Sequence, residues 1–185
     1  MKLFFLLVAF VLPLTAMSAE FNAVQQDKSS VSFVFKQMGV PVDGKFAKFA
    51  AKINFDPAQV TKATAQIDVE LNSIDTGNGE ANDEAKGKAW FNAREFPLAR
   101  FVSSGVKALG GNRYEANGKM SIKGRTRDVV TPFTMRQEGS LIVLEGSIPL
   151  QRLQYAIGEG AWSDTGTVAD EVQVRFRFTL SSAKK

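Results

Sequence analysis

From Val31 onward, apolar and polar residues alternate strictly over long stretches, and a repeat of two suits only strands that bury one face and wet the other. Ala63, Ala65, Ile67, Val69 and Leu71 alternate with Thr64, Gln66, Asp68 and Glu70. Tyr114, Ala116, Gly118, Met120 and Ile122 repeat the pattern, as do Val172, Val174, Phe176, Phe178 and Leu180. Val31, Phe33 and Phe35 form a shorter copy, and the segments 99–108, 127–136 and 140–150 a rougher one. Within 45–55, Phe49, Ala51, Ile53 and Phe55 share a face while Phe46 falls out of phase, which predicts a β-bulge near Ala47 and Lys48. Turn signals at Asp43-Gly44, Asp56-Pro57, Gly110-Gly111-Asn112, Gly124-Arg125-Thr126 and Glu138-Gly139-Ser140 keep the connections short. The expectation is an all-β, antiparallel fold of about eight strands, closed as a barrel or packed as a sandwich.

One segment breaks the rhythm. Residues 78–91 lack the period of two, and Asn78 can cap a short helix with Glu80, Asp83 and Glu84 early and Lys86 and Lys88 late, charges that suit the helix dipole. The inward set mixes bulky Phe with Ala51, Ala63, Ala65, Ala116 and Gly118. In a barrel of this size the small residues either leave room for one apolar ligand or mate with Phe across a dry core.

Composition narrows the chemistry. The 185 residues contain neither Cys nor His, which removes disulfides, Cys/His zinc sites, His-ligated haem, Ser-His-Asp triads and Cys nucleophiles; no metal site and no catalytic residues are expected. The remaining apparatus for an enzyme would be paired carboxylates, with Asp83 and Glu84 or Glu159 and Asp164 as nominees, but acids side by side on a helix do not face each other. Met1-Lys2, the apolar run Leu3 to Leu14 and the small residues to Ala19 read as a signal peptide over 1–19, cleaved after Ser18 or Ala19. The run is too short to span a bilayer. A single periplasmic domain over 20–185 is therefore expected, and losing Lys2 takes the net charge from +4 to +3, too mild to favour nucleic acid. Lys119, Lys123, Arg125 and Arg127 are expected on an outward face, as are Arg175 and Arg177.

Ser30-Val31-Ser32-Phe33, Phe46 to Phe49, Ile53 to Pro57, Ile74-Asp75-Thr76, Asn82-Asp83, Trp90-Phe91, Phe96-Pro97 with Phe101, the run Gly118 to Val129, Tyr155 to Trp162 and Val168 to Val172 follow one another in an order and spacing of their own. Together they resemble the YceI-like family, exported bacterial proteins with a lipocalin-like barrel. The resemblance implies a carrier that holds an isoprenoid lipid, a polyprenyl chain or a quinone, with no catalytic cofactor, as monomer or homodimer. Similarity to a branch found beside b-type cytochromes implies a membrane cytochrome as a partner, with a lipid-handling partner as the alternative. The expected lining is Phe33, Phe35, Phe49, Ile53, Ile67, Val69, Trp90, Phe91, Phe101, Met120, Ile122, Phe133, Trp162, Val174 and Phe176, with Trp90-Phe91 and Trp162 gating or plugging the barrel. Asn82 and Asp83, where relatives carry an Arg-Asp pair, are the head-group candidates. Many relatives also have His before and near the end of the first strand, positions held here by Ser29 or Ser30 and by Gln37 or Met38.

Overall fold

The computed structural model describes residues 20–182, so the expected signal peptide lies outside the described residues. The alternating segments become the long strands of one antiparallel sheet: β5 (Thr64–Glu70), β7 (Leu98–Gly110), β8 (Arg113–Ile122), β9 (Arg125–Glu138), β10 (Leu141–Gln151), β11 (Glu171–Ser182) and β2 (Ser30–Gln37). Four shorter strands complete it: β1 (Phe21–Val24), β3 (Val40–Phe46), β4 (Phe49–Asn54) and β6 (Ile74–Asp75). The described residues thus hold eleven strands, against the expected eight or so. The order is β4-β5-β7-β8-β9-β10-β11-β2-β3-β6, with β1 added to β11.

This order curls the sheet into a barrel, and one edge of β11 does much of the closing. Its residues Gln173 to Arg177 pair with β2, while Leu180 to Ser182 pair with β1. At the switch between partners, the Thr179 N–H donates to Ser29 Oγ (3.0 Å) and the Thr179 hydroxyl to the Lys28 carbonyl (2.9 Å), so the interrupted ladder leaves no bare backbone group there. Phe21 of β1 then exchanges both backbone hydrogen bonds with Phe55, just beyond β4, at 2.9 and 3.0 Å. The first strand thereby ties β11 to the far edge of the sheet.

Two local expectations are corrected. Ala47-Lys48 is not a bulge within one strand but a break between two, because β3 pairs with β2 and β6 whereas β4 pairs with β5. Asp43-Gly44 is not a turn: both lie inside β3, and the hairpin reverses at Met38-Gly39. Gly44 is there because the Phe33 ring lies where a Cβ would sit. Gly146 seats Phe176 in the same way, and Gly118 seats Phe101, a Cβ there falling 2.6 Å from the ring. These glycines hold rings down and leave no space for a ligand, so of the two alternatives for the small residues Gly118 follows the pairing with Phe. Gly118→Ala should therefore lower stability by about 1–3 kcal/mol, readable in a denaturant melt. Helix α1 (Gly79–Lys86) is shorter than 78–91 but is capped as expected, the Asn78 side chain accepting from the Ala81 N–H at 3.0 Å.

Candidate functional site

The inward phases of the strands do not meet in the middle. They enclose a cavity of about 530 Å³ whose wall is overwhelmingly apolar. Close-packed interiors have few voids larger than a water molecule, and a space of this size falls in the range of small-molecule pockets. The lining includes Phe33 and Phe35 from β2, Ile53 from β4, Ile67 and Val69 from β5, Phe101 from β7, Met120 and Ile122 from β8, Phe133 from β9, and Val174 and Phe176 from β11. Ala63, Ala65 and Ala116 also face it, and their short side chains keep it open.

Beyond the strand ends, the wall is built by α1 and by the loops carrying Trp90, Phe91 and Trp162. The two indole rings lie 5.4 Å apart between centroids. Trp162 Nε1–H donates to Glu84 Oε1 at 2.8 Å, which latches the loop onto α1 beside the cavity. Trp90 Nε1 and Thr131 Oγ1 are buried without a hydrogen-bond partner among the described residues, and both residues belong to the wall. Tyr155 is buried there too, and burial pushes its phenol above the ordinary range, keeping it neutral.

The organising group of this end is a cation that sequence reasoning missed. Arg152 is 2% exposed and stands over the Trp90 ring at 5.4 Å. All its donors go to backbone carbonyls: Nε to Ala169, Nη1 to Ile157 and Gly158, Nη2 to Trp162 and Val168, at 2.7–3.2 Å. Burial works against its charge and nearby Asp170 supports it. Gly158 is glycine with φ +80° because a Cβ would run into Nη1. One guanidinium thus folds the 152–170 loop against the cavity.

Three expectations fail at the site. Phe49 is outside the lining; its ring packs edge-to-face on Phe178 at 5.8 Å. Asn82 and Asp83 do not line the cavity either. Asn82 Oδ1 accepts from the Thr76 N–H and hydroxyl, both at 2.8 Å, and Asp83 pairs on the surface with Lys86 at 3.1 Å. It is Glu80, Ala81, Glu84 and Ala85 of α1 that face inward. Lys123 is not a solvated surface charge. Its side chain is 7% exposed, and Nζ donates to the carbonyls of Lys88 and Ala156 and to Glu159 Oε2 at 2.6–3.0 Å, which holds the Glu159 carboxyl below its usual range. The other nominated acid, Asp164, accepts from the Gly166 N–H within its own loop at 2.9 Å.

The residues that build this curled antiparallel sheet match the family model of the YceI-like domain, over 23–180. The chain belongs to the YceI-like family. Among solved members of this fold, the chain is similar to BcnA of Burkholderia cenocepacia, at 43% identity and TM-score 0.82, covering 84% of this chain and 98% of that one. A polyisoprenoid binding domain from Saccharophagus degradans, implicated in plant cell wall breakdown, shares the fold at TM-score 0.66 and 14% identity over 90% of this chain and 99% of that one. A UPF0312 protein of Shewanella denitrificans is 29% identical over 102 residues, 55% of this chain and 53% of that protein. The match to such curated relatives therefore spans about half their length. Within the YceI-like domain, the cavity, the latch and the Arg152 loop all fall inside the matched residues.

Proposed function

We propose that the protein is a periplasmic carrier that holds an isoprenoid lipid, a polyprenyl chain or a quinone, in this cavity. The observation that carries the reading is the predominantly apolar wall around about 530 Å³, since transfer of a hydrocarbon chain into such a site gains about 0.8 kcal/mol per buried CH2. The neighbour described as polyisoprenoid binding supports the choice of lipid. Much of the gain is offset by leaving the bilayer, so the protein competes with the membrane and exchanges its ligand. Mass spectrometry of lipid extracted from natively purified protein should recover a prenyl chain in near-stoichiometric amount. Lipid-free protein at full yield would count against the reading.

Release should depend on the latch between Glu84 and Trp162. Glu84→Ala removes one hydrogen bond worth about 1 kcal/mol and is expected to speed ligand loss roughly fivefold without changing the fold. Stopped-flow transfer of a fluorescent prenyl lipid to acceptor vesicles measures it.

A further inference from the structure

Met38 and Val40 are 78% and 62% exposed, and they flank Gly39 at the tip between β2 and β3. Exposed apolar residues scattered singly are ordinary, but three observations set this tip apart. The first is its backbone. Met38 and Gly39 have φ +50° and +80°, the doubly left-handed hairpin turn that Asn-Gly serves best, so methionine carries a conformational cost there and, projecting into solvent, regains none of it by packing. The second is that the tip is held in place: the Met38 N–H donates to the Thr167 carbonyl and the Ala169 N–H to that of Lys36, both at 2.9 Å, and Gln37 bridges Val168. The third is position, because Phe35, Gln37 and Val168 line the cavity.

We propose that the β2–β3 tip docks the protein on a lipid bilayer. Met38 and Val40 enter the boundary between headgroups and acyl chains, exposed Lys36 faces anionic headgroups, and the adjoining cavity wall is brought to the membrane so that an apolar ligand need not cross water. Two side chains on a narrow knob fall far short of the area a stable protein interface buries, whereas shallow insertion needs no more. This inference rests on the lipid-carrier reading.

The test is the double substitution Met38→Asn with Val40→Thr. Asn favours the left-handed turn and Thr keeps the β-branch, so the variant should melt no lower than the wild type. Three measurements follow on both proteins: flotation with vesicles of phosphatidylethanolamine and phosphatidylglycerol, uptake of a fluorescent farnesyl probe from those vesicles, and equilibrium binding of the same probe added in solution. The expected result is that the variant floats less and takes up probe about tenfold more slowly, with solution binding unchanged. Wild-type protein that binds the probe but does not float, or a variant with wild-type uptake, overturns the docking role alone. Wild-type protein that floats but binds no probe removes the carrier reading and leaves the tip a bilayer contact.

Discussion

Arg152→Leu is expected to lower stability by about 4 kcal/mol or more, because it strips five backbone carbonyls of their donor, those of Ile157, Gly158 and Val168 buried and those of Ala169 and Trp162 half-buried, and each buried one costs about 1–3 kcal/mol when left unsatisfied. Part of that cost is recovered as the 152–170 loop opens to water, so the loss should appear as local melting as well as a lower Tm, by roughly 10 °C for a domain of this size. Hydrogen exchange at the amides of Ile157 and Val168, measured beside a thermal scan, separates the two. Arg152→Lys has three donors without the planar fork and should fall between wild type and leucine. A leucine variant that melts within a degree or two of the wild type would mean that the loop is held by something else. Since Tyr155, Ile157 and Trp162 belong to the cavity wall, the variant should also shed bound lipid.

Ala116→Phe and Ala65→Trp are expected to empty the protein of lipid while leaving it folded. Both positions face the cavity. Ala116 lies on β8 opposite Val106 of β7 and Thr131 of β9, all three of them wall residues, so an added ring projects into space where a chain would run. Overpacking a filled interior would cost about 1–3 kcal/mol, whereas a ring entering a void costs little and gains buried apolar area. The readings separate on two axes. Retained Tm with lost lipid supports the cavity as the binding site; a much lower Tm with the same lipid content places the lipid elsewhere.

The alternation in β5, β8 and β11 was enough to assign which side chains point inward, and that is why Ile67, Val69, Met120, Ile122, Val174 and Phe176 all reach the cavity. Side-chain direction in a strand is a local property with a period of two, so it survives without knowledge of the partners. Asn78 was legible as a helix cap for the same reason, since its hydrogen bond reaches only three residues along. What depended on distant partners was not legible. Ala47-Lys48 became a break because β3 and β4 pair at opposite ends of the sheet path, and no local signal distinguishes that from a bulge. Gly44 read as a turn and Gly118 as either spare volume or a mate for Phe, and each is small to seat a ring from a neighbouring strand. Arg152 was hidden most completely: its partners are carbonyls, which every residue carries, so the sequence by itself determined a barrel wall with one apolar face. Only the tertiary structure decided where that wall closes and that a buried guanidinium shapes one end, because a buried charge is stable only where the fold gathers enough acceptors around it.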